Sequence, residues 1–286
     1  MRINGEKAIF IDLGGLEDAD IYPAIETITV ATERETRWII MRRKGLSTRM
    51  VGVLDESPTE HFLRRPTGGL PFPTGGDVHY TALLGPRIGG APPSLQTIHS
   101  TVQTYFARSN CKVNPLLRVE CGQDAVIVAV GKLGQRPFIE AAGSIDAIDN
   151  LIKGLEIVGE AELDPDMIKM EARERYRSEE WNWRGIQGAT HRFERITSKG
   201  AKLVFEVKLE PPFILESRLY TNAFIYPPAQ ALLLISQLQD APPAKTLAFE
   251  FLHGWATLVE SVGVEYVELK DFLLDAFERL GRDAGL

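Results

Sequence analysis

Cysteine is scarce in this chain of 286 residues. The two present, Cys111 and Cys121, are separated by nine residues and have no histidine or aspartate at a recognisable spacing. That spacing suits neither a metal site nor a thiol nucleophile. Nor do they make a disulfide framework, and a reducing compartment is the simplest expectation. Long apolar runs are also missing. The longest candidate, Ala229 to Ile235, falls far short of the roughly 18 residues a membrane span needs. The first residues lack the charged-then-apolar order of a secretory signal. There is no Walker loop, dinucleotide fingerprint or zinc motif. Net positive charge is missing too. The formal charge is -7, which argues against nucleic-acid binding by bulk electrostatics. Arg42, Arg43, Lys44 and Arg49 could still form a local basic patch.

What is present fits a folded protein. The 44% hydrophobic and 25% charged residues are those of a folded soluble protein, and 286 residues are enough for one large or two ordinary domains with real cores. Lys7 to Leu13 reads as a strand, and Asp18 to Glu33 as a helix with apolar residues at Ile21, Ala24, Ile25, Ile28 and Ala31. Arg37 to Arg42, Arg49 to Leu54, Thr59 to Arg65 and Val78 to Leu84 are short β-like runs. Ser94 is placed to cap a helix through Arg108. Leu116 to Glu120, Ala125 to Val130 and Phe138 to Ala142 read as strands, and Ile145 to Leu155 as a short helix. Strands come in runs, so the class is α+β rather than a βαβ alternation.

The composition shifts after Leu155. Glu160 to Arg177 is charged and helical, with Asp164-Pro165 as a start signal. Trp181-Asn182-Trp183 opens a second β-rich unit. Its strands are Thr190 to Thr197, Leu203 to Glu210 and Phe213 to Tyr220. Helices follow at Pro228 to Gln239, Thr246 to Ser261 and Leu269 to Leu280. The expected organisation is a domain over residues 1–160 and a smaller one over 161–286, with 161–180 a helical connector.

Two stretches carry chemistry. In Arg64-Arg65-Pro66-Thr67-Gly68-Gly69 two cations precede a glycine pair. Backbone without Cβ can approach a ligand closely, and cations beside open amides suit a carboxylate or a phosphate. A plain surface turn is the competing reading. Lys132, in Val130-Gly131-Lys132-Leu133-Gly134, follows an apolar strand. It can aim an ammonium into a cleft, although a solvated turn lysine is simpler on spacing alone. Asp77, after Gly75-Gly76, can hold a phosphate-bound metal or cap a turn. His79 alternates with Tyr80 on a strand, where a lone histidine is commonly structural.

Taken together, these residues resemble the lipoate–protein ligase A family. Arg64 to Gly69 matches its Arg-Arg-x-Ser/Thr-Gly-Gly signature, and Gly76-Asp77-Val78-His79-Tyr80-Thr81 its Gly-Asp/Asn-Leu-x-Tyr/Phe-Ser/Thr segment. Tyr22-Pro23-Ala24-Ile25-Glu26 takes the place of the family's Asn-Leu-Ala-x-Glu-Glu helix. Gly131-Lys132-Leu133-Gly134 takes the place of its Lys-Ile/Val-x-Gly motif, and the second unit is similar to its C-terminal accessory domain. The chain departs from the pattern in several places. The loop Leu70 to Gly75 lacks the usual histidine and is one residue short. Gly134 follows Lys132 by two residues instead of three, and Gly52-Val53-Leu54-Asp55 replaces Gly-Arg-x-Gln.

The resemblance implies a mixed-sheet ligase-like catalytic domain with a smaller α+β accessory domain. It also implies ATP- and Mg-dependent activation of lipoate or octanoate to an acyl-adenylate. The acyl group would pass to a lysine of an acceptor domain, in a 2-oxoacid dehydrogenase complex or the glycine cleavage H protein, in the cytoplasm. Lys132 would be the catalytic lysine. Arg64, Arg65, Thr67, Gly68, Gly69, Phe72, Asp77 and His79 would hold acid and nucleotide, with Mg at Asp77. The departures leave a second possibility, a non-catalytic member that binds an acyl ligand or a lipoylated protein. A biotin ligase is disfavoured by the absence of Gly-Arg-Gly-Arg-x-x-x-x-Trp. An ATP-independent octanoyl transferase is disfavoured because no cysteine follows Lys132.

Overall fold

A computed structural model describes residues 5–56, 61–87, 89–178, 181–182 and 185–286. Strand β1 (Glu6–Asp12) runs through a short 3-10 turn at Asp18–Asp20 into α1 (Ile21–Ala31). Strands β2 (Trp38–Leu46), β3 (Arg49–Val51), β4 (Phe62–Arg64) and β5 (Gly75–Leu84) follow. Then come α2 (Leu95–Arg108), β6 (Lys112–Val113), β7 (Arg118–Cys121), β8 (Asp124–Leu133), β9 (Arg136–Gly143), α3 (Ile145–Ile152) and β10 (Leu155–Glu162). The remainder holds α4 (Met170–Arg177), β11 (His191–Ile196), β12 (Lys202–Glu210), β13 (Phe213–Thr221), β14 (Phe224–Tyr226), α5 (Pro228–Ser236), α6 (Lys245–Leu258), β15 (Glu260–Val262) and α7 (Tyr266–Asp283).

Eight strands form one mixed sheet in the order β10-β1-β2-β5-β9-β8-β7-β6. The β10, β1 and β2 neighbours are parallel and the other pairs antiparallel. Helix α1 turns Ile21, Ala24, Ile25 and Ile28 inward, as its apolar spacing requires. Ser94 does cap α2, its Oγ accepting from the Thr97 amide at 3.1 Å. Between β8 and β9 the turn is two residues long, and Gly134 there has φ +59, the positive angle such hairpins need. All eight residues of β9 are buried, which places this strand at the centre of the molecule.

A second sheet, β11-β12-β13, is an antiparallel meander covered by α5, α6 and α7. Strands β14 and β15 pair with each other. Two hydrophobic cores result, and they exchange residues. Val53, Leu54 and Leu116 pack into the second core, while Phe224 and Val262 pack into the first.

Several expectations need correction. Helix α3 stops at Ile152, and Leu155 starts the edge strand β10 instead of ending a helix. The charged connector is helical in two short pieces, a 3-10 turn at Pro165–Met167 capped by Asp164 as the start signal predicts, and α4 at Met170–Arg177, because Glu160 to Glu162 belong to that strand. Helix α6 ends at Leu258, and Glu260 and Ser261 sit in β15. Thr59, Glu60, Glu180 and Trp183 lie outside the described residues. Cys111 and Cys121, expected to be unpaired, form a disulfide. The tight β6–β7 hairpin turns the chain back so that the two side chains meet.

Candidate functional site

The arginine–glycine segment leaves β4 and folds inward. Arg64 and Arg65 are 1% and 0% exposed. The Arg64 guanidinium donates through Nη1 to the carbonyls of Gly52, Val53 and Asp55, at 3.1, 3.2 and 2.8 Å. Arg65 donates through Nε to Thr67 Oγ1 at 3.0 Å, and through Nη2 to the carbonyls of Gly68 and Leu70 at 2.8 and 2.6 Å. Burial lowers both guanidinium pKa values, that of Arg64 to about 10. These cations therefore brace the loop from within. Trp181 and Asn182 clamp the same strand: the indole donates to the Arg64 carbonyl at 2.7 Å, and the Asn182 side-chain oxygen accepts the Arg64 amide at 2.9 Å.

Below the loop lies a buried polar cluster that sequence reasoning missed. Thr67 donates to Glu140 Oε2. Oε1 of the same carboxylate accepts from Tyr22 at 2.8 Å and from Tyr80 at 2.7 Å. Burial first, and then the nearby carboxylate, holds both phenols well above their ordinary pKa. The signal available in the sequence was one acidic residue inside an otherwise apolar strand, Phe138-Ile139-Glu140-Ala141-Ala142. A charge there must have partners.

The glycine pair makes its close approach to protein, not to open space. A Cβ on Gly68 would lie 2.1 Å from the Ala223 carbonyl oxygen, and one on Gly69 would lie 2.5 Å from the Phe224 ring. The Gly69 amide also donates to the Ala223 carbonyl at 3.2 Å. Phe72, expected to line an apolar slot, is 2% exposed. It sits under the Arg65 guanidinium, 4.0 Å from ring centroid to cation.

Lys132 lies one residue beyond Gly131, whose missing Cβ would approach Thr67 Cγ2 to 3.0 Å. The lysine strand and the arginine loop are thus in contact. The Lys132 side chain is only 4% exposed. Its Nζ sits 2.5 Å from Glu260 Oε1 and 4.5 Å from the centre of the Tyr226 ring.

Asp77 and His79 stand elsewhere. Asp77 is exposed and lines a cavity of about 570 Å³ with Gly76, Val78, Val126, Ile127 and Gly143. A second cavity of about 380 Å³, containing Arg43 and Lys44, shares Thr74, Gly75 and Gly76 with it. His79 is half-buried and pairs in register with Lys44 and Gly143. Its pKa is lowered by burial, and further by Arg42 and Lys44. Lys132 pairs with Pro137 at the other end of β9. Six residues of strand therefore separate the two places, roughly 20 Å. Lys132 and Asp77 do not grip one phosphate in this arrangement. Among the described residues no three His, Cys, Asp or Glu side chains gather as a metal site. Asp77 offers a single carboxylate, which does not make a Mg site without phosphate oxygens.

No family model and no curated protein matches the sequence. Solved structures do match in fold. Plasmodium falciparum LipL1, in complex with lipoate, is 9% identical, with 96% of this chain and 99% of that chain covered at a TM-score of 0.64. A lipoate-protein ligase A bound with ATP is 13% identical over 62% of this chain and 98% of its own, TM-score 0.48. A bi-partite lipoate protein ligase from Thermoplasma acidophilum is 12% identical over 66% and 100%, TM-score 0.48. Among the described residues no helix is long and apolar enough to cross a membrane. The chain has the lipoate-ligase fold seen in LipL1: a large mixed sheet with its helices, followed by a smaller β-rich unit.

Proposed function

We propose that the protein activates lipoate, or octanoate, with ATP and passes the acyl group to a lysine of a lipoyl-acceptor domain. The observation that carries this reading is the likeness over almost the whole chain to a protein that binds lipoate. The buried Lys132 beside the arginine–glycine loop supports it. In the first step the acid's carboxylate oxygen attacks the α-phosphorus of ATP and pyrophosphate leaves. In the second, the acceptor amine attacks the acyl carbonyl and AMP leaves.

Lys132 would neutralise the negative charge at the reacting end, and most of the rate would come from positioning and electrostatics. Arg64 and Arg65 would act through the loop they brace, holding Thr67, Gly68 and Gly69 in place. The cavity beside Asp77 and His79 would take the far end of the extended acyl-adenylate. Mg, if required, would arrive with the nucleotide phosphates. Residues 1–160 would form the catalytic domain and 161–286 the accessory domain, in a cytoplasmic enzyme.

A second reading, a non-catalytic binder of acyl ligand or lipoylated protein, is favoured by one observation: the arginines and the lysine already have partners inside the chain. Lipoate-dependent exchange of labelled pyrophosphate into ATP separates the two. Exchange with lipoate or octanoate, and not with biotin, is expected. A folded sample that exchanges with no acid removes the stand-alone ligase reading.

A further inference from the structure

Three features that suit an anion are closed by two paired strands of the same chain. Residues Ala223 and Phe224 fill the space beside Gly68 and Gly69. Two residues on, Tyr226 lies over the Lys132 ammonium. Opposite Tyr226 in the β14–β15 pair is Glu260. Its carboxylate takes Lys132 with one oxygen, and with the other accepts the amide of Leu95, the first residue of α2. A carboxylate shared between a buried ammonium and a helix-terminal amide reproduces the contacts of a bound acid or phosphate.

We propose that the paired strands β14 and β15 form a built-in plug, with Glu260 as the internal anion that stands where the anionic group of the ligand binds. Only the identity of that ligand, a fatty carboxylate or its acyl phosphate ester, rests on the ligase reading above.

The chemistry favours a displaceable plug over a permanent brace. Glu260 is 40% exposed while Lys132 is 4% exposed, so the cation is fixed and the anion sits at the rim. The paired strands are short, three residues each, and α5 and α6 join them. An internal carboxylate competes at a high effective concentration. A free acid then binds only to the fraction of molecules with the strand pair displaced, and its apparent affinity falls by that fraction. Ala223 and Phe224 cover the glycine pair while Tyr226 and Glu260 cover the lysine, so moving the strand pair, which draws Phe224 and Val262 out of the first core, would uncover both.

The test uses the full chain as wild type, Glu260→Gln and Glu260→Ala. Hydrogen exchange is read at the Gly69 and Leu95 amides, whose acceptors are Ala223 and Glu260. Titration with sodium octanoate is read by calorimetry. We expect both amides to exchange about tenfold faster in Glu260→Ala, with the β8–β9 amides unchanged, and octanoate to bind about tenfold more tightly. Glu260→Gln, which keeps an acceptor but no charge, should fall between. Unchanged exchange at Gly69 overturns the plug even if wild type proves to be a ligase, because Leu95 loses its own acceptor in Glu260→Ala whatever the strands do. Equal acceleration throughout the molecule overturns it too, because Glu260 would then be structural. Faster exchange at these two amides with no octanoate binding supports the plug and counts against the ligase reading.

Discussion

The Tyr22 hydroxyl donates to the Glu140 carboxylate at 2.8 Å, joining the first helix to the middle of the sheet. Tyr80 and Thr67 complete the ring of donors around that carboxylate. Glu140 is wholly buried, so each donor lost leaves part of a charge without a partner. Tyr22→Phe should lower the unfolding free energy by about 1–2 kcal/mol in urea titrations. Glu140→Leu should cost more, roughly 3–5 kcal/mol, because it removes the counter-charge near buried Arg65. If Glu140→Leu unfolds at the wild-type urea concentration, the cluster does not stabilise the fold.

The glycine pair makes a separate prediction. Gly68→Ala places a methyl 2.1 Å from the Ala223 carbonyl, which is backbone and has nowhere to swing. A loss of about 3 kcal/mol is expected, with the contact between the loop and β14 opened. Gly76→Ala, whose added carbon meets nothing within 4 Å, should stay within about 0.5 kcal/mol. Thermal melts of the two variants side by side decide this. Equal melting temperatures would contradict the packing described.

Asp55 predicts a pH dependence. Burial raises its carboxyl from 3.8 to about 6, against the lowering effect of Arg65 and Arg64. The folded state therefore holds this proton where the unfolded chain has released it. Between about pH 4 and pH 6 the native form binds more protons, so this group makes stability fall as pH rises. The whole effect amounts to roughly 3 kcal/mol at most. Asp55→Asn should flatten that part of the stability–pH curve. An unaltered slope from urea titrations at pH 4, 5 and 6 would rule Asp55 out as its source.

Lys132→Ala should reduce lipoate-dependent pyrophosphate exchange by about 100-fold or more in kcat/KM, the scale of losing one preorganised charge at a developing anion. The fold should survive, because Glu260 is 40% exposed and returns to water. Circular dichroism verifies the fold before the kinetics are read. Full exchange activity in a folded Lys132→Ala protein would take the lysine out of the mechanism.

Much of the architecture was legible in local signals. The spacing of Ile21, Ala24, Ile25 and Ile28 specified α1, the Ser94 cap set the start of α2, and the runs at 203–210 and 213–220 marked the second sheet. The arginine–glycine and lysine motifs were also visible, because unusual residue types stand at close spacing. These signals act within a few residues, so they survive without the rest of the chain.

The direction each motif faces was decided elsewhere. Thr67 meets Glu140 across 73 residues, and Lys132 meets Glu260 across 128. The three-residue strands β14 and β15 exist because they pair with each other, and neither has a local period long enough to announce it. The sequence by itself determined which residues are special: a glycine pair, two arginines, a lysine at a strand end. Only the tertiary structure decided that the arginines turn inward onto carbonyls, that the glycines admit Ala223 and Phe224, and that the lysine's counter-charge comes from the second unit. The physical reason is that close packing fills any space left by an absent Cβ, and a buried charge draws whatever partner the fold brings within reach.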